Sequence, residues 1–434
     1  MKGEKFMYYA KWAKENEIKA NLKEITIGEE IEQGGIPIIN DGKKAYLTPR
    51  TTHSLVIGAT GSGKTQTTIL PLIKLALLAN ESIVINDVKG ELYEQTKEKF
   101  QEKGYDIIVL NFENPNKGNK WNPLTLAYKL YKENEKDKAT KIIEDLGYHL
   151  FMDIKETTDS YWTNSTIDYF TGLTLHLFKN SEKEINLNDV YRLANELETN
   201  EKSAVFLKQL DKNSTEYYNL LGTLSAPTET RGSIISVFNQ KLKKYISLEN
   251  LSNMLSISNF DITNISNKKT IVYIISGLSS QTSNLIPLFV SQTINSINEY
   301  GDKKRILNIM LDEFDNMLPI NNFATLINYS RSINVKFTVV IKSYIDLINV
   351  YGKESSEIIK ACFPIIIYLL STDIYTLEEI SKMCGNEETN NQIRPLISIE
   401  QLKVMKPFEA IILMPRMMPF KTKLLPDYKI NWNL

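Results

Sequence analysis

The stretch SLVIGATGSGKTQTT, residues 54–68, constrains this chain more than any other. An apolar, β-branched run ends at Gly58, and a helical pattern starts beyond Thr65. The eight residues between them, Gly58, Ala59, Thr60, Gly61, Ser62, Gly63, Lys64 and Thr65, have the spacing of a phosphate-binding loop. Glycines let successive backbone N–H groups wrap a phosphate chain, and the helix that follows turns its positive end toward it. Lys64 has the reach for β- and γ-phosphates, and the Thr65 hydroxyl is the natural ligand for the accompanying Mg²⁺. A strand–loop–helix of this kind requires an α/β architecture with a nucleotide, ATP first among candidates, at the strand's carboxyl end.

The rest of the chain repeats the strand signal. Apolar runs at 82–88, 106–112, 270–276, 307–314, 335–343, 364–370 and 409–415 are continuous rather than alternating. Such runs belong to strands covered on both faces, hence to a mostly parallel sheet flanked by helices. Between 125 and about 225 the strand signal stops. Ile167, Phe170, Leu173 and Leu177 fall there at helical spacing. The expected organisation is a first α/β part over 1–124, an all-α insertion over 125–225, and a second α/β part over 226–434.

Composition narrows the function classes. Lys+Arg (51) and Asp+Glu (52) nearly cancel, so the net charge is −1 and no global field favours nucleic acid or membrane. Contact with DNA has to come from local patches; Lys241 and Lys244 in FNQKLKKY (238–245) share a helical face and are the best local candidate. Only seven residues are arginine, which shortens any search for a catalytic guanidinium. Cys362 and Cys384 lack metal-ligand spacing and read as buried thiols. No run approaches the roughly 20 apolar residues of a membrane span, so the chain is expected to be cytoplasmic.

A phosphate loop needs a partner carboxylate. ILNIMLDEFDNM supplies it: an apolar strand followed by Asp312, placed to hold Mg²⁺, and Glu313, placed to polarise an attacking water. The second acid marks a hydrolase. In NDVKGELYE (86–94), Asp87 ends another strand and is a candidate for the phosphate side; a plain turn with Glu91 on the next helix's positive N-terminus is an equal alternative.

These motifs, together with KWNPL (120–124), TETRGSIISVF and SRSINVKFTVVIKSYIDL, occur in an order that resembles the type IV coupling proteins of conjugation systems, the TraG-like family. The resemblance implies a RecA-like P-loop ATPase domain interrupted by an all-α insertion, assembling as a hexameric ring at the inner face of the cell membrane. It implies ATP and Mg²⁺ as cofactors, and DNA, a relaxase and secretion-channel proteins as partners. Arg331 stands where the family carries an arginine proposed to reach a neighbour's ATP; a surface salt bridge is the alternative. Arg231 is a weaker candidate for that role. Where the family's phosphate sensor is Gln-Ser, this chain has Lys342 and Ser343, a point charge in place of an amide. The family usually opens with a membrane-anchoring helical pair, and YYAKWAKENEIKANL resembles the segment after it. Either the chain is trimmed or an anchorless member is held by a partner. Two further readings stay open: another hexameric DNA translocase, and a cargo receptor that binds ATP for assembly and hydrolyses little.

Overall fold

Side chains alternate between two apolar layers along each central strand, and this alternation builds the fold. The computed structural model describes residues 9–152, 160–277, 282–389 and 392–434. Three short strands come first, β1 (Lys23–Thr26), β2 (Pro37–Asn40) and β3 (Lys44–Leu47), forming an antiparallel sheet in the order β1-β3-β2. The large sheet follows with β4 (Ser54–Gly58), β5 (Ser82–Asn86), β6 (Asp106–Asn111), β7 (Thr270–Ile275), β8 (Leu307–Leu311), β9 (Val335–Ile341) and β10 (Ile365–Leu370). A separate exposed hairpin is made by β11 (Asn386–Thr389) and β12 (Gln392–Pro395). Then β13 (Glu409–Leu413) and β14 (Phe420–Lys423) complete the large sheet.

Its nine strands run β14-β13-β10-β4-β9-β8-β5-β7-β6. From β10 to β6 every pairing is parallel, for example Val56 with Val340 and Ile85 with Met310. Only the β10–β13 and β13–β14 pairings are antiparallel, and they close one edge. All eight strands expected from the sequence are in this sheet. The β9 strand separates β4 from β8, so the carboxyl ends of three adjacent strands bring the phosphate loop, Lys342 and the Asp312–Glu313 pair to one crevice.

Val56, Ile83, Ile85 and Met310 face helices Leu70–Leu78 and Glu91–Glu102. Leu55, Ile57, Leu311 and Ile341 face the opposite layer, where the apolar core continues without a break into the helical block. That block does not end near residue 225. Helix Thr228–Ile246 packs Ile235, Phe238 and Leu242 into the same core as Phe151 and Tyr169, and helix Glu249–Met254 extends it before β7 begins. Pro227 stands at the start of this helix, a position proline tolerates.

Both cysteines are buried. His53 has a structural role, accepting from the Phe337 N–H at 3.0 Å through Nδ1 and lying 3.1 Å from the Ile327 carbonyl through Nε2. No helix among the described residues is long and apolar enough to cross a membrane.

Candidate active site

The phosphate loop is anchored at its start and released at its centre. Ala59 N–H donates to the Leu370 carbonyl of β10 at 2.8 Å, extending the β4–β10 ladder by one residue. The chain then turns through Gly61 (φ +79°) and Gly63 (φ +90°), a left-handed region that a side chain disfavours. A wide π-helical turn, Thr65–Ile69, leads into helix Leu70–Leu78. Pro71 explains the widening: it has no N–H for the carbonyl four residues back and its ring crowds that carbonyl. Within the turn, the Thr67 hydroxyl donates to the Gly63 carbonyl and the Thr68 hydroxyl to the Lys64 carbonyl. Thr65 is different, because its hydroxyl makes no bond to a described residue and remains available as a ligand.

The Lys64 ammonium donates to the carbonyls of Gly58 (2.6 Å) and Ala59 (3.1 Å), folded back over its own loop. Burial pushes its pKa down, and the carboxylates of Asp312, Asp315 and Glu313 pull it back up. Those acids follow β8. Asp312 accepts from the Glu313 N–H at 3.0 Å, and burial raises its pKa against the pull of Lys64. Glu313 has a left-handed backbone (φ +51°), an uncommon conformation for this residue type and one that collects at functional sites. Its carboxylate accepts from the Asn316 amide at 2.7 Å.

Lys342, at the end of β9, meets the same cluster. Its ammonium is 3.3 Å from Asp315 Oδ2 and donates to Asn316 Oδ1, also at 3.3 Å. The Asn316 amide therefore bridges Lys342 and Glu313, and its donor–acceptor sense is set by the two charges it joins. Asp315 and Asn316 escaped the sequence reading. The third acid of DEFD was the available signal, but nothing local shows that Lys342 will face it. Burial raises the pKa of Asp315, and its Oδ1 has no hydrogen-bond partner among the described residues.

The five other candidate residues, Asp87, Arg231, Lys241, Lys244 and Arg331, take no part in these side-chain contacts. Asp87 is 3 % exposed, and its carboxylate accepts from the Tyr93 N–H at 2.8 Å, with Leu92 and Gly90 N–H groups also facing it. It satisfies open N–H groups at the start of helix Glu91–Glu102, the place the turn reading gave to Glu91, and Asn86 before it donates to the Asp312 carbonyl at 3.0 Å. Arg231 is buried in the helical block at 5 % exposure, which removes it as a group reaching outward. Lys241 is equally buried while Lys244 is exposed, so the two do not present one basic face. Arg331 is exposed in the short turn Arg331–Ile333 that precedes β9. The seven residues of β9 put roughly 20 Å between it and the Lys342 end. Arg331 cannot reach its own phosphate loop.

The residues present fit a magnesium nucleotide. Mg²⁺ takes few protein ligands beside the phosphates, and a free threonine hydroxyl with a nearby carboxylate is such a set.

Comparison with known proteins agrees with this fold. The structure is similar to the conjugative coupling protein TrwBΔN70 crystallised with sulphate (TM-score 0.70, 16% identity, covering 97% of this chain and 95% of that one). It is equally similar to plasmid coupling protein TrwB with the ATP analogue ADPNP (TM-score 0.70, 16% identity, 97% and 94%). VirB4 of Thermoanaerobacter pseudethanolicus is more distant (TM-score 0.57, 13% identity, 92% and 98%). No curated protein sequence matches. The profile of one family, described as Type IV secretory system Conjugative DNA transfer, matches residues 7–425, and the chain belongs to that family.

Proposed function

We propose that the chain is the coupling ATPase of a type IV secretion system, a motor that hydrolyses ATP to move DNA and its relaxase toward the channel. One observation carries the proposal: the ends of β4, β8 and β9 bring Lys64, Thr65, Asp312, Glu313 and Lys342 to one crevice, while Arg331 stands a strand length away. The likeness to TrwB, whose structures include ADPNP, GDPNP, and ADP with Mg²⁺, supports a nucleotide there.

In this reading the loop from Gly58 to Thr65 holds the phosphates, and Thr65 and Asp312 hold Mg²⁺, which when bound neutralises phosphate charge. Lys64 leaves its loop carbonyls for the β- and γ-phosphates. Glu313 takes the proton of the attacking water, and Asn316 fixes the orientation of its carboxylate. Lys342 senses the γ-phosphate by exchanging Asp315 for it. Arg331 completes the site of the next subunit, which makes a ring, six-membered in the family's pattern, the active form. The ring would stand at the inner face of the membrane.

Complementation tests the trans contact. An Arg331→Ala subunit has an intact pocket and no finger; a Lys64→Ala subunit has the reverse. Mixing the two should restore part of the ATPase activity, and DNA should stimulate the parent protein in a salt-sensitive manner. No recovery after demonstrated subunit exchange would place Arg331 outside the mechanism. An assembled ring indifferent to DNA at low salt would replace the motor with the cargo-receptor reading.

A further inference from the structure

Phe408 is a large apolar side chain that no apolar core claims. Among the described residues it belongs to none of the three buried clusters, yet it is half-buried. Its backbone is left-handed (φ +69°), an outlier for an aromatic residue. The surrounding turn is braced to keep it there. Lys406 N–H donates to the Glu409 carboxylate and Glu409 N–H to the Lys406 carbonyl, each at 3.0 Å. Leu424 N–H donates to the Phe408 carbonyl at 2.8 Å, and Lys421 pairs with Glu409 at 3.1 Å. Strain maintained by this many contacts points to use of the ring.

The ring lies against the phosphate loop. A Cβ built on Gly63 would come within 3.0 Å of Phe408 Cδ1 and Cε1. Because β13 is antiparallel to β10, its first residue is at the carboxyl edge of the parallel strands, the edge that carries the loop. The strand order then fixes a direction. Asp312, Glu313 and Lys342 lie on the β9–β8 side of β4, so the γ-phosphate end of a nucleotide must point that way. Its ribose and base must extend toward β10 and β13, where Phe408 stands.

We infer that Phe408 stacks on the base of the bound nucleotide. The inference rests on the nucleotide-site reading above and adds a base subsite to it. A stacking ring recognises the π-face that every base shares and contributes affinity without selecting one base by hydrogen bonding.

Two variants test it. Phe408→Gly removes the ring and suits the left-handed backbone, so folding should not suffer; Phe408→Trp keeps a stacking surface. Equilibrium binding of ATP and of inorganic tripolyphosphate would be measured by calorimetry on the parent and both variants. Phe408→Gly should weaken ATP binding about tenfold, within the range for losing one base–aromatic stack. It should leave tripolyphosphate binding unchanged, and Phe408→Trp should bind ATP as the parent does. Unchanged ATP affinity in Phe408→Gly overturns the inference, as does an equal loss for both ligands, which would make the ring a prop for the loop. A parent protein that binds neither ligand would instead remove the nucleotide site itself.

Discussion

Two lysines at opposite ends of the sheet's central strand, β9, meet opposite treatment. Lys336, near the start of β9, is 5 % exposed. Its ammonium is 3.4 Å from Glu81 and donates to the Gly34 carbonyl at 2.9 Å. Glu81 in turn accepts from Gly34 N–H and the Asn308 amide, each at 2.8 Å. Both carboxylate oxygens are used, and the network ties the segment before β2 to the sheet. Lys342, just past the other end of β9, has a side chain 34 % exposed and faces Asp315 at 3.3 Å. There a buried carboxylate oxygen lacks a partner, and Glu313 holds a left-handed backbone. The first end spends its charges on one another. The second holds charges in reserve for something that arrives, so strain and incomplete pairing mark the working edge.

The largest expected effect breaks the working edge. Lys64→Ala should lower ATP hydrolysis by on the order of a thousandfold, the scale of losing a preorganised charge at the transition state. Its melting temperature should be little changed. Glu313→Gln should lose hydrolysis while still binding ATP, and parental turnover in either variant would remove that residue from the mechanism.

The next effect breaks the other end. Lys336→Met keeps the bulk of the side chain and leaves Glu81 charged without its ion-pair partner, which should destabilise the fold by about 3 kcal/mol. Denaturant unfolding would measure it, with ATPase activity per folded molecule preserved. Lost activity at unchanged stability would erase the contrast between the two ends.

The smallest effect sharpens the contrast. Burial raises the carboxyl pKa of Asp315 above its unfolded value. The folded chain therefore binds that proton more tightly, and stability from this group falls as pH rises through the raised value. Asp315→Asn removes the charge, so it should raise the melting temperature by about 1 °C at near-neutral pH. The gain should shrink as pH falls and vanish below about pH 3, where Asp315 is protonated in both states. A loss at neutral pH would mean that the pairing with Lys342 outweighs burial.

The sequence disclosed what is local and hid what depends on strand order. Runs such as SIVINDV and TIVYIIS are apolar on both faces because helices cover both, and they announce a parallel sheet. The short β14, Phe420–Lys423, has one buried residue and lies on an edge, so it leaves no such signal. The three strands at Lys23–Leu47 are equally brief. Gly63, Lys64 and Asp312 stand out in the sequence because their spacing is that of a phosphate loop and its partner acid. The partners of Asp87 do not stand out in this way, since a carboxylate at a strand end serves a phosphate or a helix start according to its neighbours. Lys241 looked available because a helical repeat tells which residues share a face, not which face is turned inward. Phe408 carries no local signal whatever, because its meaning is a contact with a glycine far away in the chain.

A consequence of Arg331's position concerns timing. In a ring closed by the proposed contact, one strand carries at one end Lys342, the proposed reader of its own subunit's phosphate, and just before its other end Arg331, proposed to reach the next subunit's. A parallel strand hydrogen-bonded on both sides does not stretch. Loss of phosphate at one site is then delivered along a stiff rod to the neighbouring site. Firing should pass from subunit to subunit in order, and a single dead pocket should stall the whole ring by far more than its one-subunit share.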